Sequence, residues 1–205
     1  QRQMCIRDSL KVLGGDGNDT VIGGAIYFDG GAGDDSITLP DGAPGTSTVT
    51  YNLDFLDGGD GLDTLTLGGR HSEGSGSSSI GEIITNFEII NSQEDFPTFT
   101  LGAQAASAGE SITINVGTWA RNFTSLSAAD ITFNGGTFTN SNNIGDTVTL
   151  GSGNDTIYLH AGYDIVTAGA GNDTIDGGDG IDIAIFSGNK SDYTITETGY
   201  AQYQI

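Results

Sequence analysis

Residues 141–185 read "SNNIGDTVT LGSGNDTIY LHAGYDIVT AGAGNDTID GGDGIDIAI", five nonapeptides without a gap. The sixth residue of each is an aspartate: Asp146, Asp155, Asp164, Asp173 and Asp182. The fourth is glycine in four of the five, and the eighth is Val148, Ile157, Val166, Ile175 and Ala184. One "GNDT" is an ordinary hairpin turn closed by an Asx hydrogen bond. Five aspartates in one register are a repeat, and a repeat decides the fold before any single motif does.

Nine residues of this kind suffice for a turn and a strand. Glycines at positions one, two and four adopt positive backbone angles and close approaches that other residues resist. The next three residues, as in "TVI" or "TIY", form a short strand whose middle aliphatic points inward. Two units make one coil of 18 residues, so residues 18 apart stack on neighbouring parallel strands. The expected fold is all-β, a thin right-handed parallel β-roll or β-solenoid with cation-binding turns.

The same pattern returns upstream in "GGDGNDTVI" (14–22), "GGAGDDSIT" (30–38) and "GGDGLDTLT" (58–66), with Asp19, Asp35 and Asp63 at position six. The intervals of 16 and 28 residues require insertions between coils. Residues 10–67 therefore read as N-terminal repeats, 68–140 as a linker and a degenerate solenoid section, 141–186 as a C-terminal roll, and 187–205 as a truncated β segment. The opening "QRQMCIRDS" fits nothing downstream and resembles translated adapter read-through, so residues 1–9 are set apart from the fold.

Composition agrees with metal-dependent order. The 205 residues include 34 glycines, and only 36% are apolar, which is little with which to build an ordinary core. Twenty-seven acids, 21 of them aspartate, stand against six bases, for a net charge of −21. Such a polyanion does not bind nucleic acid through phosphates or sit on an anionic membrane. No apolar run reaches the roughly 18 residues of a membrane helix, and the single cysteine excludes an internal disulfide framework. Two carboxylates one strand spacing apart, about 4.8 Å, repel by roughly 3 kcal/mol at an effective dielectric near 20. A hard cation between coils reverses that sign, because Ca²⁺ takes six to eight oxygens from carboxylates and carbonyls together.

The pattern GGxGxDxUx resembles the calcium-binding nonapeptide of the secreted repeats-in-toxin (RTX) family, over residues 13–67 and 141–186. "FSGNKSDYTIT" (186–196) is similar to the segment that follows the last repeat in bacterial members. The resemblance implies sites made of the carbonyls at positions two and four and the aspartate of one turn, with the carbonyls at positions one and three and the aspartate of the next. One site then joins Gly151, Gly153 and Asp155 to Ala168, Ala170 and Asp173. A second joins His160, Gly162 and Asp164 to Gly177, Asp179 and Asp182. A third joins Asn142, Ile144 and Asp146 to Leu159, Ala161 and Asp164, with Ile144 where the pattern has glycine. Upstream, Gly15, Gly17 and Asp19 face Gly30, Ala32 and Asp35, while Gly31, Gly33 and Asp35 face Gly58, Asp60 and Asp63. The resemblance further implies several bound Ca²⁺ ions, a larger secreted bacterial parent such as a protease, lipase, haemolysin or adhesin, and export by a type I secretion system.

The middle section offers β-branched stretches at solenoid-like distances, such as "FEIINS", "TFTLGA", "SITINVG" and "DITFNGGTFT", read as coils without metal sites. "SLSAAD" (125–130) admits one short helix capped by serine, and Trp119, Phe123, Phe133 and Phe138 are assigned to the core. No HExxH, GxSxG or Cys/His cluster is present. His160 reads as a turn residue lending its carbonyl, and His71 lies in a serine-rich loop, so no catalytic residue is assigned. The competing reading is an extracellular adhesive or surface-binding solenoid, ice-binding folds included, in which calcium is a staple and outward threonines form a ladder.

Overall fold

The computed structural model describes residues 3–39, 55–68, 84–92, 99–106, 109–117, 122–136, 145–187 and 189, with backbone alone at 3–10 and 24–26. Every regular element among them is a β-strand. In chain order they are β1 (Gln3–Asp16), β2 (Thr20–Ala32), β3 (Ser36–Leu39), β4 (Phe55–Asp60), β5 (Thr64–Leu67), β6 (Ile84–Thr85), β7 (Ile89–Ser92), β8 (Phe99–Leu101) and β9 (Ser111–Asn115). There follow β10 (Asn122–Ser125), β11 (Asp130–Asn134), β12 (Thr147–Thr149), β13 (Thr156–Tyr158), β14 (Ala161–Gly162), β15 (Ile165–Thr167), β16 (Thr174–Asp176), β17 (Asp179–Gly180) and β18 (Ile183–Ala184).

All pairings among the described residues are parallel, and each joins one coil to the next. The chain is a β-solenoid. One face runs from the first halves of β1 and β2 through β3, β5, β7, β9, β11 and β13 to β16; the other runs through the second halves of β1 and β2, β4 and β6, and then from β8 through β10, β12 and β15 to β18. Consecutive coils are 16 residues apart at Thr20↔Ser36 and 28 at Ser36↔Thr64, whereas Thr156↔Thr174 keeps the 18 of two nonapeptides. The insertions that lengthen a coil leave strand register intact.

The position-eight residues form the core. Register aligns Val21, Ile37, Leu65, Ile90, Ile114, Phe133, Ile157 and Ile175 in one inward column. Phe99, Phe123, Val148 and Val166 oppose it on the second face, and Phe123 stacks on Phe99 at 5.7 Å and meets Phe133 at 5.0 Å across the interior. The middle section is thus continuous with the flanking coils, because burial of one aliphatic or aromatic per strand needs no aspartate. Phe123 and Phe133 are buried as expected; Trp119 and Phe138 fall outside the described residues, as do His71 and residues 190–205.

Two observations concern the N-terminal segment and the stretch 125–130. The backbone enters β1 at Gln3, within the segment set apart as residues 1–9, and pairs with β2 from Gln3↔Thr20 onward, with register shifts between Ile6 and Lys11. An end coil presents a free row of backbone donors and acceptors that pairs largely irrespective of side chains. The short helix at 125–130 is not formed: Ser125 closes β10 and Asp130 opens β11. The buried Ser125 and Ser127 hydroxyls instead accept hydrogen bonds from the Ser127 and Ala129 amides, at 3.2 and 3.1 Å, a local turn that competes with the helix.

Candidate metal centre

The turns between strands stack as closely as their strands, and their carbonyls aim into the gaps between coils. The carbonyls of Gly15 and Gly17 pack against Gly31 and Gly33 of the next turn, and those of Gly31 and Gly33 against Gly59 and Gly61. In the C-terminal roll Gly151, Gly153, His160 and Gly162 direct theirs at Gly169, Gly171, Gly178 and Gly180. Other carbonyls point the opposite way. Gly30 and Gly58 reach back to Gly14 and Gly30, while Ala32 and Asp60 accept from the Gly17 and Gly33 amides at 2.6 and 2.8 Å. Gly31 shows why the turn is written in glycine: its φ is 100°, and a Cβ there would overlap the Gly15 carbonyl. His160, at φ 67°, takes the same left-handed conformation, and its carbonyl accepts from the Asp179 amide at 2.6 Å.

The sixth-position aspartates form two columns. In the first, the amide of Asp19 donates to Asp35 Oδ1 at 2.7 Å and that of Asp35 to Asp63 Oδ1 at 2.6 Å; further along, the amide of Ile131 donates to Asp155 Oδ1 at 2.8 Å and that of Asp155 to Asp173 Oδ1 at 3.0 Å. In the second, Asp146 N–H bonds to Asp164 Oδ1 at 2.5 Å and Asp164 N–H to Asp182 Oδ1 at 3.1 Å. One oxygen of each acceptor is thereby satisfied. The other oxygen of Asp19, Asp35, Asp63, Asp155 and Asp164 is buried and has no hydrogen-bond partner. A buried carboxylate oxygen without a donor carries a large desolvation cost.

That cost shows in the titration of these groups. Burial, the largest cause, raises the Asp63 and Asp155 carboxyls to about 6 and Asp146 to about 7, and it raises Asp35 and Asp164 as well. The backbone N–H each accepts opposes the rise, and repulsion from neighbouring carboxylates adds to it. Repulsion between stacked aspartates, the main obstacle expected from the sequence, is secondary to loss of water.

A hard cation fits what these gaps contain. Carbonyl oxygens converge from both sides with a pair of carboxylates, and no donor faces the orphaned oxygens. No group of three or more His, Cys, Asp or Glu side chains gathers among the described residues, so such a site draws on two carboxylates and the backbone. The structure brings Gly151, Gly153 and Asp155 against Ala170 and Asp173, where Ala170 N–H donates to Gly151 O at 3.0 Å, with Ala168 in the same turn. It likewise brings His160, Gly162 and Asp164 against Asp179 and Asp182, with Gly177 alongside the Asp182 carboxylate. Asn142 and Ile144 lie outside the described residues, and Asp146 Oδ2 already accepts from the Gly136 amide at 3.2 Å, which distinguishes this third grouping from the others.

Two participants escaped the sequence reading. Glu88 continues the first column, accepting from the Asp63 amide at 2.7 Å, within a section read as coils without metal sites. The signal was an acid directly before the strand triplet, as in "EIIN" beside "DTLT". The exposed fifth positions also form a ladder: Asn154 N–H donates to Asp130 Oδ1 at 2.7 Å and Asn172 N–H to Asn154 Oδ1 at 3.0 Å, with Asn18, Asp34 and Leu62 repeating it upstream.

The family model of the RTX calcium-binding nonapeptide repeat matches residues 11–25 and 149–184, in four copies. No curated protein and no solved structure matches the chain. The matched stretches contain Asp19, Asp155, Asp164, Asp173 and Asp182, members of both columns, whereas Asp35, Asp63 and Asp146 lie outside them. Over these stretches the chain carries the RTX calcium-binding nonapeptide repeat.

Proposed function

We propose that this chain is a calcium-dependent folding module of a larger secreted bacterial protein, exported by a type I system and folding once outside. The observation that carries this reading is the set of five buried aspartate oxygens without a donor, all at the sixth position of their turns and distributed over the two columns. At low cytosolic calcium the buried carboxylates oppose coiling and the chain stays transportable. At millimolar extracellular calcium, against the Kd of roughly 10⁻⁴–10⁻³ M of such modules, each filled site adds RT ln(1 + [Ca²⁺]/Kd), about 0.4–1.4 kcal/mol, so several sites act together. The ligands are those of the gaps already described, from Gly15 to Asp63 and from Asp146 to Asp182. The module assigns no residue a catalytic role; any chemistry belongs to the parent protein. Circular dichroism of the chain titrated with CaCl₂ from chelator is expected to show a cooperative gain of β-structure. A signal already maximal in chelator and flat in calcium overturns the proposal.

One observation favours a second reading, in which the solenoid also binds a surface. Register aligns Thr20, Ser36, Thr64, Thr113, Thr132, Thr156 and Thr174 in one outward column, broken only by Ile89 between Thr64 and Thr113. Beside it Asn91, Asn115 and Asn134 join side chain to side chain at 2.9 and 2.7 Å. Threonine suits exposed strand positions in any case, so the ladder supports this reading only if it acts. An ice-binding face predicts thermal hysteresis from the calcium-loaded chain that Thr132→Lys abolishes, and freezing indistinguishable from a buffer control removes that function.

A further inference from the structure

The first carboxylate column does not end where the repeats do. Asp57 pairs with Thr85 and Thr64 with Ile89, so the turn of residues 58–63 faces one of only residues 86–88. Above the longer turn this leaves a cleft of about 460 Å³, lined by Gly59, Asp60, Asn86, Glu88 and Glu110 among others. Asp63, the last residue of the longer turn, is fully buried, and its Oδ2 has no partner. That oxygen lies 2.8 Å from the point where a Gly58 Cβ would sit, and the Asn86 carbonyl converges on the same point. Glu88, already bonded to the Asp63 amide through Oε2, supplies a second carboxylate on an arm one methylene longer than aspartate.

We infer that Asp63, Glu88 and the Asn86 carbonyl form a calcium site between the repeat coils and the degenerate section, outside both family-matched stretches. The donors are all oxygen, and the two carboxylates belong to facing turns, as in the gaps below. The difference is the shortened turn, which withdraws backbone carbonyls and leaves room for water. Ca²⁺ accepts such a mixed, irregular shell, whereas Mg²⁺ demands a tight octahedron. The site joins the repeats to coils that carry no aspartate column of their own, so filling it couples the middle section to the calcium response of the N-terminal coils.

This inference rests on the calcium reading above, and the test separates the two. Isothermal titration of the full chain with CaCl₂ is compared for wild type, Glu88→Gln and Glu88→Asp. Glutamine keeps the acceptor for the Asp63 amide and removes the charge, so the number of bound ions falls by one while the other sites keep their affinity. Aspartate keeps the charge on a shorter arm, and one site weakens about tenfold at unchanged stoichiometry. Wild type that binds no calcium sinks the calcium reading itself. Wild type that binds, with Glu88→Gln matching it in stoichiometry and affinity, overturns this site alone. If Glu88→Gln fails to fold even in calcium, Glu88→Asp decides, and unchanged affinity there overturns the site.

Discussion

Asp155→Asn is expected to stabilise the calcium-free chain and destabilise the calcium-loaded one. Asp155 is 1% exposed; its Oδ1 accepts from the Ile131 amide and its Oδ2 accepts from nothing. The carbonyls of Gly151 and Gly153 aim into the gap above it, toward the turn of Asp173. The surroundings are therefore rich in acceptors and poor in donors. A carboxamide keeps the bond from Ile131, removes a buried charge and brings an N–H₂ to a place lined with oxygens. Without calcium near pH 7.5 the gain is about 1–2 kcal/mol, the ordinary scale of a buried polar group that finds a partner or sheds its charge. With calcium the same change deletes a charged ligand, and affinity at that gap falls roughly tenfold to a hundredfold. Urea denaturation in chelator and in millimolar calcium measures both arms. A shift of the same sign in both conditions contradicts a ligand role, because a purely structural aspartate does not distinguish them.

The aspartate columns were legible because the signal is local and periodic at once. Nine residues carry a whole turn and strand, so Asp155 and Asp173 declare their stacking by spacing alone. The inward residues were legible for the same reason, and the column continues through Ile90, Ile114 and Phe133 because burial tolerates any large apolar side chain. What the sequence hid depends on chain outside the repeat unit. Glu88 reaches the column because the Thr64↔Ile89 register sets it beside Asp63, and the turn before it is three residues shorter than residues 58–63, a length difference that strand register alone reveals. The helix at 125–130 failed because propensity is weak beside two buried serines that satisfy the turn's own amides. The dominant cost at the columns was also hidden. Spacing advertises repulsion, whereas burial of each carboxylate follows from how tightly consecutive turns close.

Acid is expected to replace calcium in part. Asp63 and Asp155 titrate near 6 and Asp146 near 7 in the coiled chain, raised first of all by burial, whereas an unfolded aspartate titrates near 3.9. Between those values the coiled state holds more protons than the unfolded one. Its calcium-free stability is therefore fully present below about pH 4 and declines as the pH rises through 6 and then 7. In chelator, β-structure and melting temperature should increase from pH 8 to pH 5, still above the sequence pI of 4.1, where the chain keeps a negative charge. Calcium must meet deprotonated carboxylates, so its binding releases protons and its affinity falls over the same interval. The two ligands compete for the same buried oxygens: protonation neutralises them singly, whereas a cation also draws facing turns together. Melting in chelator that does not change between pH 8 and pH 5 would show that these carboxylates remain hydrated in the coiled chain, and the physical basis for calcium-driven coiling would then be lost.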